Sequence, residues 1–150
     1  MIRDDIKAAT ITAMKAKDSV RLGTLRLISS ALKNKDIELR TGVAPADDDV
    51  LVADVLSKMA KQRRESIDMF ITGNRPELAD AERAELGVIE GFMPTQMAAG
   101  EAQAAVRALV AELGATSVKD MGRVMAAVRE RFAGQLDMAQ ASAMVKAALG

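Results

Sequence analysis

Three groups of side chains have types and spacings that can carry chemistry. Ser29, Ser30 and Lys33 fall within one helical turn, and a serine beside a lysine can act as nucleophile and base. A small polar edge on an amphipathic helix accounts for the same three residues without catalysis. Asp47-Asp48-Asp49 offers hard oxygen ligands of the kind a divalent cation takes. A helix cap set over the positive end of its dipole explains that run more simply. The third group is basic, Lys33-Asn34-Lys35 and Lys61-Gln62-Arg63-Arg64. Two such clusters on neighbouring helices can converge on a phosphate backbone, or they can be solvated helix faces. No aromatic residue accompanies either, so base stacking is not expected there.

Other routes to chemistry are closed by composition. Histidine and cysteine are absent, which excludes Ser-His-Asp and Cys-His catalysis, ordinary zinc sites and a disulfide framework. No glycine-rich phosphate loop occurs. The sequence therefore leads us to expect no catalytic residue, no metal and no cofactor. Gly87-Val-Ile-Glu-Gly91 has small residues four apart, a spacing that allows close helix approach or local flexibility.

The elements that must position these groups are helical. Hydrophobic residues make up 49% of the 150, yet there are only 3 Phe and neither Tyr nor Trp. Helix formers dominate and strand formers are sparse. The 3.6-residue period predicts a first helix over about 2–17, with Ile2, Ile6, Ala9, Ala13 and Met14 inward. Asp18 or Ser19 caps a second, to about Arg40, with Leu22, Leu25, Ser29, Leu32 and Leu39 inward and Thr41-Gly42 closing it. After a loop at 42–48, Asp47 or Asp48 caps a third helix to about Thr72, burying Val52, Val55, Leu56, Met59, Ile67 and Phe70. Gly73-Asn74 stops it, and Pro76 opens a fourth with Leu78, Leu86, Ile89 and Phe92 inward. Beyond Pro94 the chain turns Ala-rich and three short helices are expected: 101–113, one opened by Ser117–Asp120, and one capped by Asp137. The expected architecture is all-α, with a multihelical N-terminal domain of about four helices (1–96) and a three-helix tail (97–150).

Net charge is zero, but residues 1–40 carry nine Lys/Arg against five Asp/Glu, while 76–96 carry one Arg against five acids. Any attraction for a polyanion must be local. The absence of long apolar runs and the charged start, Met1-Ile2-Arg3-Asp4-Asp5, point to a cytoplasmic address and no membrane.

Several ordered blocks resemble the YqeY-like family, whose second part is similar to the tail domain of GatB, a subunit of tRNA-dependent amidotransferases. They are Thr24-Leu25-Arg26 and Lys33–Glu38, then Lys61–Ile67 followed by Phe70, Gly73, Arg75 and Leu78-Ala79. Glu82, Glu85, Phe92-Met93-Pro94 and Gln96 continue the match, with Glu112–Ala115, Lys119–Met125 and Val145–Leu149 in the tail. The resemblance implies an all-helical protein with a link to tRNA, since the amidotransferase tail contributes to tRNA recognition. It also implies carbon–nitrogen ligase activity with glutamine as amido-N-donor, as the family is often described. Our expectation is an accessory protein of tRNA-dependent amidation or aminoacylation without catalysis of its own. Its partner would be tRNA or a tRNA-charging or amidating enzyme, and not DNA. The basic residues inside these blocks, Lys33, Asn34 beside it, Lys35, Lys61, Arg63, Arg64, Lys119 and Arg123, are the expected tRNA contacts. The alternative is a helical protein-interaction adaptor.

Overall fold

Seven α-helices and one 3-10 turn account for the regular structure in the computed structural model, which describes residues 1–150. The fold is all-α, and no helix is long and apolar enough to cross a membrane. The chain divides into two compact units, Met1–Met93 and Pro94–Gly150.

In the first unit, α1 (Ile2–Lys15) opens with Asp4 and Asp5 over the positive end of its dipole. It buries Ile6 and Ala13. Met14, expected inward, is 54% exposed, because one residue past Ala13 turns the side chain by about 100°. Lys17 takes a left-handed φ of 56° between α1 and α2 (Ser19–Glu38). Asp18 caps α2, its carboxylate accepting from the Arg21 N–H at 3.1 Å. The buried stripe of α2 is Thr24, Leu25, Ile28 and Leu32. Ser29 is exposed, so the inward stripe passes through Ile28, which completes an i, i+3, i+7 row with Leu25 and Leu32. The Thr24 hydroxyl satisfies itself on the Val20 carbonyl at 3.3 Å. Leu39, not Thr41-Gly42, forms the C-cap of α2.

Asp47 caps α3 (Asp48–Thr72) by accepting from the Asp49 N–H at 2.9 Å. Leu51, Val52, Val55, Leu56, Met59 and Ala60 then enter a core shared with α1, α2 and Ile89 of α4 (Pro76–Glu90). Each fully buried aliphatic side chain there contributes on the order of 1.5–3 kcal/mol. Past Ala60, α3 continues for about three turns with only Ile67 buried, and the first half of α4 buries only Ala79. Phe70 and Leu78 are half-buried. The two helices pair through a turn in which Asn74, with φ of 57°, makes the left-handed step at the Gly73-Asn74 stop. Gly73 has φ of −79°, and Pro76 fills the first helical position.

The second unit has α5 (Ala99–Glu112), a 3-10 turn (Val118–Asp120), α6 (Met121–Phe132) and α7 (Met138–Leu149). Its core is built of small residues, with Val106, Val124, Val128, Ala141 and Val145 all essentially inaccessible. Met97, Met121, Met125, Met138 and Met144 pack around them. Gly114, at φ of 64°, ends α5, and the Asp120 carboxylate accepts from the Thr116 and Ser117 N–H groups at 3.0 and 3.4 Å. Asp137 caps α7 through the Ala139 N–H at 3.0 Å. Gln96 reaches the carbonyl of the buried Gly134, tying the start of this unit to the α6–α7 turn.

Candidate functional site

The three chemical groups of the sequence meet different fates. Ser29, Ser30 and Lys33 are all exposed on α2, and no hydrogen bond joins either serine to the lysine. The three aspartates are each engaged, Asp47 within α3 and Asp48 and Asp49 in joining α3 to α1. Asp47 is the cap of α3, and Asp49 accepts from the Ile2 N–H at 2.9 Å. Asp48 takes Arg3 in a bidentate pair, with Nε and Nη2 both at 2.9 Å. Arg3 completes the seam by donating to Asp36 at 3.0 and 3.1 Å. The Arg3 hydrogen bonds hold the Asp48 carboxyl below the usual carboxylate range, against a smaller upward push from partial burial.

The basic residues divide into tied and free. Arg63 is mostly buried between α3 and α4, with Nε 2.7 Å from Glu85 and 3.4 Å from Glu82. One Glu82 carboxylate oxygen is buried without a hydrogen bond, so its neutralisation rests on that ion pair. Arg64 pairs with Glu90 at 2.8 Å and Lys35 with Glu38 at 3.4 Å. Arg123 donates to the Leu113 carbonyl at 2.8 Å and lies 3.4 Å from Asp120, so it closes the α5–α6 connection. Asp120 is held below its ordinary range chiefly by the two backbone N–H groups it caps, with Arg123 adding to them. Lys33, Asn34, Lys61 and Lys119 are exposed, and the three lysines form no ion pair.

The largest feature that sequence reasoning missed is the outer face of α2. Val20, Leu27 and Ile37 are exposed there beside Arg26 and Lys33. The signal was available as a second apolar row, 20–27–37, interleaved with the buried row 25–28–32. Two rows on one helix blur each other when only the strongest period is followed. In the second unit, a pocket of 80 Å³ lies between α5 and α7, lined by Gln103, Arg107, Met144, Ala147 and Ala148. That is well below the ~300–1,000 Å³ of small-molecule sites.

A family described as "Yqey-like protein" matches residues 3–149. Among curated proteins, "Altered inheritance of mitochondria protein 41, mitochondrial" of Eremothecium gossypii is 36% identical over 107 residues, 71% of this chain and 55% of that protein. The protein of the same name from Lachancea thermotolerans is 33% identical over 114 residues, 75% of this chain and 57% of its own. In Saccharomyces cerevisiae the match is 33% over 93 residues, 62% of this chain and 46% of the relative. The chain thus spans about half the length of the curated relatives it matches.

Proposed function

The chain belongs to the YqeY-like family, and from that premise we propose that it is an accessory protein of tRNA-dependent amidation or aminoacylation. In this reading it binds tRNA or an enzyme that charges or amidates tRNA, and carries out no catalysis of its own. The observation that carries the reading is the state of its polar groups. The carboxylates of Asp48, Glu82 and Glu85 are tied into pairs with Arg3 and Arg63, whereas the outer face of α2 combines exposed apolar and cationic side chains. Between the two kinds of partner, the geometry favours the enzyme. Of the basic residues expected to meet phosphate, Lys35, Arg63, Arg64 and Arg123 already have intramolecular partners, which leaves Lys33, Lys61 and Lys119. By themselves the three free cations of that set give a shallow salt dependence and weak polyanion affinity. The same face also suits the adaptor reading, in which the partner is a protein unconnected with tRNA. The setting would be cytoplasmic by the sequence expectation and mitochondrial in the fungal relatives by their names.

The test is binding of the purified chain to bulk tRNA and, separately, to the tRNA-charging and amidating enzymes of its own cell, across a salt titration. A complex with one such enzyme that survives ~150 mM salt is the expected result, with tRNA alone binding no tighter than the non-specific ~10⁻⁴–10⁻⁶ M range. Binding to none of them, or glutamate release from glutamine by the chain alone, would overturn the proposal.

A further inference from the structure

The outer row of α2 has more order than a scatter of exposed residues. Val20 is 65% exposed, and Leu27 and Ile37 are each 46% exposed. With Gly23, Ser30 and Asn34 between them they recur at alternating spacings of three and four residues, the pattern by which one helix seats another. Gly23 opens onto empty space, since a Cβ placed there would touch nothing. Arg26 and Lys33 stand seven residues apart along one flank of this row, where partner charges lie in paired helices, and Arg40 follows just past the C-cap of α2. All three are exposed, and none forms an ion pair. The two acids of α2 are already neutralised, Asp36 by Arg3 at 3.0 Å and Glu38 by Lys35 at 3.4 Å. The face therefore carries three exposed apolar side chains, spaced by small or polar ones, and uncompensated positive charge along one edge.

We propose that this face of α2 docks an amphipathic helix of a partner protein, whose apolar stripe is flanked by Glu or Asp. Charge complementarity selects that occupant. A phosphate backbone would meet the cations and leave Val20, Leu27 and Ile37 without a role. A second copy of this face would present more cations instead of the acids the row lacks. The proposal deepens the accessory-protein reading by naming the contact surface and the chemistry that fits it. It rests on that reading only for who the partner is.

Two designed heptad peptides test it against the full chain, identical in their Leu/Ile stripe and differing only in Glu or Lys along the flanks. By fluorescence anisotropy the Glu peptide should bind at least about tenfold tighter than the Lys peptide, like-charge contact at a docked interface being strongly disfavoured. The double substitution Arg26→Glu/Lys33→Glu should reverse that preference, and Leu27→Ser/Ile37→Ser should weaken both peptides. All four positions are exposed, so circular dichroism should be unchanged. The proposal is overturned if the parent binds neither peptide or does not distinguish them, or if charge reversal leaves the preference intact. It is equally overturned if bulk tRNA binding is lost in Arg26→Glu/Lys33→Glu but kept in Leu27→Ser/Ile37→Ser, which would make the face a phosphate surface. Self-association of the parent that Leu27→Ser/Ile37→Ser abolishes would make the occupant a second copy and overturn it too. Because the peptides involve neither tRNA nor its enzymes, this result and the accessory-protein reading can fail separately.

Discussion

The two halves of α3 are held by different means. From Leu51 to Ala60 the helix lies against α1, α2 and the end of α4, and its inward side chains are aliphatic and almost fully buried. From Lys61 to Thr72 its pairing with α4 rests on the buried Ile67 and Ala79 and on the ion pairs of Arg63 with Glu82 and Glu85 and of Arg64 with Glu90. Two helices cannot enclose enough volume to build an oil-like core between them, so the outer half relies on charges that retain part of their hydration. One continuous helix thus passes from a rigid, packed environment to one where polar geometry decides the pairing.

The sharpest way to break that contrast is to make the same cut in both halves. Ile89→Ala, on α4 against the inner half, should cost about 3–4 kcal/mol, and Ile67→Ala, in the outer half, about 2 kcal/mol, both read by urea denaturation. Equal losses would mean that the outer half is packed as densely as the inner, contrary to the burial pattern. Next in size is the charge layer itself. Arg63→Met leaves two carboxylates facing each other with little water and should destabilise by about 1–3 kcal/mol. Hydrogen exchange should localise the loss to residues 61–86. Replacing Glu82 and Glu85 by Leu in the same variant should restore most of it, and no recovery would show that Arg63 acts through its stem and not its charge.

The smallest effect belongs to the seam at Arg3. Asp48 is about 40% exposed, so its pair with Arg3 is screened and Arg3→Ala should cost only about 1 kcal/mol. Its pH dependence is distinctive. The folded-state pKa of Asp48 lies below the unfolded value, so the stabilisation is present above the unfolded carboxylate range near ~3.9 and is lost as pH falls through the folded value. The stability gap between parent and Arg3→Ala, measured by denaturation from neutral pH downward, should therefore narrow only in the acid range. A gap that stays constant down to pH ~2 would exclude Asp48 as the partner that matters.

What the sequence made legible follows the same division. Caps at Asp18, Asp47 and Asp137, the proline at 76 and the buried row of α3 are local chemistry, and the first three helices end within about two residues of where that chemistry places them, whereas α4 stops at Glu90, short of Phe92. The errors are of two kinds. Met14 and Ser29 fall outside the buried rows because a single helical period does not resolve a helix with two candidate rows. The other kind is non-local. That Arg63 faces Glu82 and Glu85, or that Arg3 joins Asp36 and Asp48, depends on which helices pack together, and no spacing along the chain reveals it. The candidate site was accordingly half visible: its cations could be read, while their freedom or engagement could not.

The Arg3 seam also bears on time. Its hydrogen bonds span 33 and 45 residues and the Ile2–Asp49 bond 47, whereas Arg63 reaches Glu85 across 22. A contact that closes so long a loop becomes worthwhile only after α1, α2 and α3 have already docked. The seam is then a latch set after the folding barrier is crossed. Removing it leaves the rate of folding unchanged and speeds unfolding, and the chevron of Arg3→Ala would show this as a shift confined to the unfolding arm.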